Sequence, residues 1–209
     1  MVCCNLGGCR GSYRRGRSQA SHQGSGGNRR TNIGPIYGKQ GKKSLRAGIN
    51  GYNNAGRHRP WIVLVDLDQD ADCAPNLCRA WISKKSPKLC FRVAVREVEA
   101  WLLSDRERIA RFLSVPISRV PIHPESEINP KQTMVNLAAI SKRRDIREDM
   151  VPRPGSGRSV GPAYTSRLVE FIQSPQPLWR PDHAANHSQS LQRCMKCLEQ
   201  LALREAVGD

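Results

Sequence analysis

The stretch WIVLVDLDQD, at positions 61–70, constrains the fold more than any other part of the chain. Five apolar residues in a row predict a buried strand, and Asp66, Asp68 and Asp70 follow at alternate positions as that strand ends. Such strands are typical of parallel α/β sheets, whose ligand sites lie at the carboxyl ends of the strands. We therefore expect Asp66 and Asp68 to hold Mg²⁺ or Mn²⁺. In the alternative interpretation these acids only cap the short helix that begins near Pro75.

A second apolar strand, at 88–95, runs directly into REVEAWLLSD, which has the apolar spacing of a helix. Glu97 and Glu99 stand at the start of that helix, where the helix dipole stabilises acidic side chains in any case. Glu99 is our candidate for a further metal ligand, direct or supporting, because Val98 and Trp101 share the other, buried face. Strands that alternate with helices at this pace predict an α/β fold with a parallel sheet flanked by helices.

After residue 115 the chain reads as helices joined by Pro- and Gly-containing loops, among them PKQTMVNLAAISKRR, AYTSRLVEFI and SLQRCMKCLEQLALREA. We expect an unstructured basic segment at 1–30, an α/β domain at 31–115 and a helical C-terminal region at 116–209. The longest apolar runs fall far short of the ~20 residues that cross a bilayer.

The positive charge is concentrated in the first part of the chain. Residues 1–60 contain 12 Lys and Arg and no acid, whereas the remainder has 22 Lys and Arg against 18 acids. Such a balance indicates a polyanionic partner, and nucleic acid, either DNA or RNA, is the expected one. Two glycine-containing loops supply candidate phosphate contacts, although loops of this composition are more often simply solvated. The candidates are Lys39, Lys42 and Lys43 in the first loop, which lacks P-loop spacing, and Arg153 and Arg158 in the second.

The eight cysteines form no recognisable disulfide or zinc framework. Cys194 and Cys197 have CxxC spacing, but no second pair lies at zinc-ribbon distance. His183 and His187 lack a nearby third ligand and are interpreted as surface residues. Reduced cysteines fit the cytoplasm, which is the compartment we expect.

The blocks VLVDLDQD, FRVAVREVEAWLLSD, NPKQTMVNLAA and GPAY resemble a bacterial group with a Toprim-like domain. That group is distantly similar to the Toprim nuclease domains of the overcoming-lysogenisation-defect (OLD) family. The resemblance implies a compact sheet in which an acid after the first strand and DxD acids after a later strand share Mg²⁺, and it implies chemistry at phosphodiesters. By position, Asp66 and Asp68 match the DxD, and Glu99 matches the acid of EVEAW. The first acid has no counterpart in residues 1–60, which argues against catalysis by the chain as it stands.

The acid-free composition of residues 1–30 is typical of out-of-frame reading of a GC-rich gene. When the reading frame is moved forward by one nucleotide, the codon that spans those of Cys3 and Cys4 encodes Val or Ala. The codon that spans those of Arg10 and Gly11 can encode Glu. The shifted frame thus permits an apolar strand followed by an acid, and the nucleotide sequence of the gene tests this hypothesis. The alternatives are a basic tail that binds nucleic acid and a transit peptide.

The function expected from these observations is Mg²⁺-dependent, nuclease-like cleavage of nucleic acid. The first alternative is a phosphatase of the haloacid-dehalogenase type, with Asp66 as nucleophile and Asp68 as acid, although Asp70 stands where that group has Thr or Val. The second alternative is a non-catalytic nucleic-acid-binding module that uses the basic loops.

Overall fold

The chain folds around a small mixed sheet. The computed structural model describes residues 41–173 and 179–207, and the backbone of two short strands, β1 (Val2–Asn5) and β2 (Ile36–Tyr37). The other strands are β3 (Trp61–Asp66) and β4 (Leu89–Ala94), and the strand order is β2-β1-β3-β4. β3 and β4 are parallel, whereas β1 is antiparallel to both β2 and β3.

The antiparallel strand β1 corrects the expectation of a parallel sheet. Val2 lies opposite Leu64 and Asn5 lies opposite Trp61, so β1 ends at the edge where β3 begins. An acid that directly followed β1 would lie at the edge away from Asp66, because antiparallel strands end at opposite edges of a sheet. The fold is therefore mixed α/β with one parallel strand pair.

Helices cover both faces of β3 and β4. Successive side chains of a strand point to opposite faces, so Val63 and Val65 face one way while Ile62 and Leu64 face the other. Val63 and Val65 pack against α1 (Lys42–Ala47), α2 (Ile49–Ala55) and α3 (Ala74–Trp81). Ile62 and Leu64 pack against α10 (Gln189–Val207), whose buried apolar residues recur every three or four positions. These apolar residues are Leu191, Cys194, Cys197 and Leu201.

A second core lies among the helices that follow β4. Five helices, α4 to α8, precede the short α9 and the long α10, and two 3-10 turns, Ile117–Arg119 and Pro124–Ser126, lie between α5 and α6. The largest fully buried side chains of this second core include Leu103, Ile109, Met134, Met150 and Phe171. The helices are α4 (Val98–Leu103), α5 (Arg106–Leu113), α6 (Pro130–Ala139), α7 (Arg144–Met150), α8 (Tyr164–Gln173) and α9 (Pro181–Ala185).

The helix predicted over PKQTMVNLAAISKRR is shorter than expected. α6 ends at Ala139, and the bases that follow it lead into α7, which was not separately predicted. The reason is local: the Ser141 hydroxyl donates to Leu113 O and the Arg147 guanidinium donates to Ser141 O, so these side chains stabilise a turn in place of a further helical turn.

The predicted division at residues 30 and 115 stays a prediction. Of the segment 1–30, only the backbone of Val2–Asn5 is described, and it forms a strand although the segment is expected to be unstructured. The remainder of that segment, to which most of the frameshift hypothesis applies, lies outside the described residues. None of the described helices is both long enough and apolar enough to span a bilayer.

Candidate functional site

The carboxyl ends of β3 and β4 bring acids together. Asp66 is the last residue of β3 and lies opposite Ala94, the last residue of β4. Because the two strands are parallel, the chain that leaves β4 passes the Asp66 side chain, and the Val98 N–H donates to Asp66 Oδ1 at 3.1 Å. Asp66 thus satisfies one of the free N–H groups at the start of α4.

Glu99 lies in the first turn of α4 and is only 4% exposed. The helix is enclosed on several faces, since Ala100, Trp101 and Leu102 are also buried. The Glu99 carboxylate accepts a hydrogen bond from the Tyr164 hydroxyl at 3.2 Å, and the Lys131 ammonium lies 3.7 Å from the same Glu99 oxygen.

Lys131 reaches these acids because α6 begins beside them. The Asn129 side chain accepts from the Gln132 N–H at 2.8 Å, and Pro130 occupies the first helical position, which suits a residue without an N–H. Glu97 then accepts twice from Lys131, from its N–H at 2.9 Å and from its Nζ at 3.0 Å. We call Asp66, Glu97, Glu99, Lys131 and Tyr164 the acid–lysine cluster.

The carboxylates of the acid–lysine cluster outnumber its single cation, and the pKa values of two of them, Glu99 and Asp66, are raised. Burial raises the pKa of Glu99, the nearby charges of Glu97 and Asp66 raise it further, and Lys131 opposes them only in part. Burial and the charge of Asp68 raise the pKa of Asp66.

Lys131 and Tyr164 titrate far from neutrality. Burial acts to lower the pKa of Lys131, but the hydrogen bond to Glu97 and the charges of Glu99, Glu97 and Asp66 outweigh it, so the pKa is raised. Burial and the Glu99 charge raise the pKa of Tyr164. At neutral pH the ammonium and the phenol therefore keep their protons.

Asp68 does not join the acid–lysine cluster. It has a positive φ of 50°, a backbone conformation that Asp tolerates better than most residues, and its carboxylate points to Lys42 on α1. The Lys42 ammonium lies 2.9 Å from Asp68, 2.6 Å from Asp70 and 2.6 Å from Asp66 O. The predicted trio Asp66, Asp68 and Glu99 is thus divided between two lysines.

The oxygen donors of the acid–lysine cluster fit Mg²⁺ or Mn²⁺ in chemistry, since both ions prefer carboxylates and water. Within residues 41–173 and 179–207, no three His, Cys, Asp or Glu side chains are arranged as a metal site. In the acid–lysine cluster, the Lys131 ammonium pairs with Glu97 and Glu99 and so takes the place that a cation would occupy between these acids. A divalent cation on Asp66 and Glu99 would therefore compete with Lys131.

The predicted phosphate contacts lie in two places. Lys43 lines a cleft between α1 and α3, and Lys42 lies in its wall with its charge already paired. Arg153 and Arg158 are exposed and line one cavity of about 360 Å³ together with Ser156. Lys39 lies outside the described residues.

Sequence reasoning missed Lys131 and Tyr164. Both lie in blocks that carried the resemblance, NPKQ and GPAY, but neither block contains an acid or another residue that would attract notice as a ligand. The available signals were the Asn-Pro start of a helix, which places Lys131 in the first turn, and a glycine three residues before Tyr164. The sequence favours Glu99 over Glu97 as a ligand, whereas Glu97 binds Lys131 through both of its carboxylate oxygens.

Comparison of the chain with protein families, with curated proteins and with solved structures yields no significant match.

Proposed function

We propose that the chain is a Toprim-like, Mg²⁺-dependent protein that acts on phosphodiester bonds in nucleic acid with an incomplete acid set, since the first acid of the resemblance has no counterpart in residues 1–60. The observation that carries this proposal is the convergence of Asp66, Glu97 and Glu99 with Lys131 at the carboxyl edge of the parallel strand pair. This edge is where α/β sheets place their ligand sites. Burial, followed by the charges of neighbouring carboxylates, raises the pKa values of Asp66 and Glu99, and acids perturbed in this way cluster at functional sites.

Asp66 and Glu99 would hold the metal in this proposal. A bound Mg²⁺ would supply Lewis-acid stabilisation of the charge that develops on the phosphoryl oxygens. The Tyr164 hydroxyl donates to Glu99 and orients it. Glu97 holds Lys131 by accepting from the backbone N–H and from the ammonium of Lys131. The Lys131 ammonium is then placed to offset negative charge brought by a phosphate.

Cleavage of a labelled single-stranded oligonucleotide and of a duplex, with Mg²⁺, with Mn²⁺ and with EDTA, tests the proposal. We expect metal-dependent cleavage that falls by about 10²-fold or more in Asp66→Asn and Glu99→Gln, because each removes a ligand charge. Glu199→Gln is the matched control, since Glu199 is an exposed acid on α10 outside the cluster. Cleavage that survives both cluster substitutions would overturn the proposal.

A second candidate is a nucleic-acid-binding module without catalysis. The ion pairs favour it, because Lys131 and Lys42 already neutralise much of the acid charge. Salt-sensitive binding with no turnover of oligonucleotides would support this candidate. The phosphatase alternative requires Asp66 as nucleophile, and a phosphorylated Asp66 detected by mass spectrometry after incubation with a phosphate monoester would support that alternative.

A further inference from the structure

The loop between α7 and α8 forms a surface cavity of about 360 Å³. The cavity is lined by Arg153, Ser156, Arg158, Val160 and Pro162, which are all exposed or half-exposed to solvent. None of these five described residues is an acid. The cavity is therefore open to a ligand and carries positive charge alone, and we call it the arginine cavity.

A tight turn gives the arginine cavity its shape. The Ser156 N–H donates to Arg153 O at 3.1 Å and closes a four-residue turn, with Pro154 second and Gly155 third. Gly155 has a φ of 75°, as the third residue of a type II turn requires, and proline suits the second position. The Ser156 hydroxyl then accepts from the Arg158 N–H at 3.4 Å. These two hydrogen bonds fold the backbone between the two arginines, so both side chains reach one cavity.

The base of the loop is held by the helical core. The Gly161 N–H donates to Met150 O at 3.0 Å, and the Ala163 N–H donates to Asp149 O at 2.9 Å. Val160 packs against the second core from within the loop. The arginine cavity thus stands on a fixed base, although its arginines extend into solvent.

The two arginines of the cavity are not neutralised by acids. In the ranges 41–173 and 179–207, neither Arg153 nor Arg158 forms an ion pair or a side-chain hydrogen bond. Both guanidinium groups are therefore available to an anionic ligand.

The acids beside the cavity are paired with other cations. Glu148 and Asp149 line an adjoining cavity that shares Arg153 with the arginine cavity. The Glu148 carboxylate lies 2.7 Å from the Arg144 guanidinium, and the Asp149 carboxylate lies 2.7 Å from that of Arg167. Their charge is thus directed away from Arg153.

The donors of the arginine cavity suit a phosphate group. A guanidinium presents its N–H groups in a planar fork that matches two phosphate oxygens. The Ser156 hydroxyl can donate its own hydrogen while it accepts from the Arg158 N–H. Two uncompensated guanidinium charges balance a phosphate that carries one or two negative charges.

We propose that Arg153, Arg158 and Ser156 bind a phosphate group of nucleic acid, either within the backbone or at a strand end. The choice of nucleic acid as the source of this phosphate rests on the proposed function, whereas the recognition of phosphate rests on the cavity itself. Such a contact positions the strand on the protein and takes no part in the reaction.

Fluorescence anisotropy in EDTA, which prevents metal-dependent cleavage, tests the inference. The probes are two oligodeoxythymidylates of about 15 nucleotides labelled at the 3′ end, one with a 5′-phosphate and one without. We expect Arg153→Ala and Arg158→Ala each to weaken binding about 3- to 10-fold and to reduce the slope of log affinity against log salt by about 0.7. Arg153→Lys should lose less than Arg153→Ala, because it keeps the charge but not the planar fork.

Arg193→Ala controls for the change in net charge. Arg193 is exposed on α10 and does not line the arginine cavity, so this variant should bind like the unmodified chain. The urea midpoints of Arg153→Ala and Arg158→Ala should match that of the unmodified chain, because both side chains are exposed.

The two probes distinguish the sources of the phosphate. A loss confined to the 5′-phosphorylated strand would support a terminal phosphate, and an equal loss with both strands would support a backbone phosphate. Unchanged affinity in both alanine variants would overturn the inference, as would an equal loss in Arg193→Ala or a chain that binds neither strand.

Because binding is measured without metal, its outcome is separate from that of the cleavage experiment. Metal-dependent cleavage by a chain whose binding does not depend on Arg153 and Arg158 would overturn the arginine cavity alone. Weakened binding in these variants of a chain that never cleaves would support the arginine cavity and overturn the catalytic proposal.

Discussion

Asp66 Oδ1 accepts a hydrogen bond from the Val98 N–H at 3.1 Å, so the acid that ends β3 caps the helix that follows β4. Glu97 repeats this relationship one step further, because its carboxylate accepts from the Lys131 N–H at the start of α6. Each acid stabilises the amino end of an element that is distant in sequence. The acid–lysine cluster therefore fixes the positions of α4 and α6 whatever ligand it binds, and substitutions there must be analysed for stability as well as for activity.

Glu99→Gln should stabilise the chain at neutral pH. The pKa of Glu99 is raised in the folded state by burial and by the charges of Glu97 and Asp66, so its ionised form opposes folding. Stability therefore falls as the pH rises through that folded pKa, and a neutral Gln that still accepts from Tyr164 escapes the loss. The urea midpoint of Glu99→Gln should exceed that of the unmodified chain near pH 7, and the difference should shrink as the pH falls toward the ordinary pKa of Glu.

A lower urea midpoint for Glu99→Gln near pH 7 would contradict this account. It would mean that the Lys131 ion pair outweighs the burial of Glu99. Glu107→Gln is a suitable control, because Glu107 is 60% exposed and lies outside the cluster.

Lys131→Met should destabilise the chain by about 1–3 kcal/mol near neutral pH, a value discounted because the Lys131 side chain is 38% exposed. Removal of the ammonium leaves Asp66, Glu97 and Glu99 without their shared cation. The loss should become smaller at lower pH, where these acids are protonated. Lys131→Arg, which keeps the charge, should lose less in the same urea titrations.

Lys131→Met also separates a metal site from a purely structural ion pair. If Mg²⁺ binds Asp66 and Glu99, removal of the competing ammonium should increase the rise in melting temperature that Mg²⁺ produces. Ca²⁺ and a monovalent salt of matched ionic strength control for screening. An equal rise in Lys131→Met and the unmodified chain would show that Mg²⁺ acts elsewhere.

The strands and helices near the site could be predicted because their signals are local. The apolar run at 61–65 predicts β3, and Pro75 and the capping pattern at Ser104–Glu107 predict helix starts near those observed. Because residues 1–30 are expected to be unstructured, β1 itself is not predicted, and the composition of Val2–Asn5 leaves the direction of such a strand open. Strand direction is set by chain connections and pairing, which composition does not reveal.

The site could be predicted only where acids follow strands. Asp66 and Glu99 are found by that pattern because parallel strands end at one edge of a sheet. Lys131 and Tyr164 join from α6 and α8, and their approach depends on how the helices pack after residue 115. The partner of Asp68 was equally hidden, because no local pattern brings Lys42 to the turn after β3.

Asp105→Asn should cost about 3 kcal/mol, because it breaks a buried charge pair. The Asp105 side chain is 0% exposed and accepts from Arg180 at its N–H, Nε and Nη2, at 2.9, 3.0 and 2.6 Å. Glu107→Gln removes a partner of the same Arg180 that is 60% exposed, so it should cost less than about 1 kcal/mol. Urea unfolding of the two variants measures the difference.

The effect of Asp105→Asn should depend on pH in the opposite sense to that of Glu99→Gln. Burial acts to raise the pKa of Asp105, but the hydrogen bonds from Arg180 outweigh it and the pKa is lowered. Its stabilisation is thus present above the ordinary pKa of Asp and is lost as the pH falls through the lowered folded value. A difference between variant and unmodified chain that persists unchanged at acid pH would contradict the ion-pair account.

Gly161→Ala should destabilise the chain by about 1–3 kcal/mol or more and weaken the Tyr164–Glu99 contact. A Cβ at Gly161 would lie 2.3 Å from Asp149 O and 2.6 Å from Met150 C, both backbone atoms that have little freedom to move. This close approach is maintained by hydrogen bonds from the Gly161 N–H to Met150 O and from the Ala163 N–H to Asp149 O, and Tyr164 follows directly.

Gly51→Ala is the matched control, because nothing lies within 4 Å of its Cβ position and Gly51 lies inside α2. There the same substitution should stabilise by about 0.5–1 kcal/mol, since Ala loses less backbone entropy than Gly in a helix. Urea unfolding of both variants tests the prediction, and equal effects of the two substitutions would show that the backbone at Asp149 and Met150 accommodates a Cβ at Gly161.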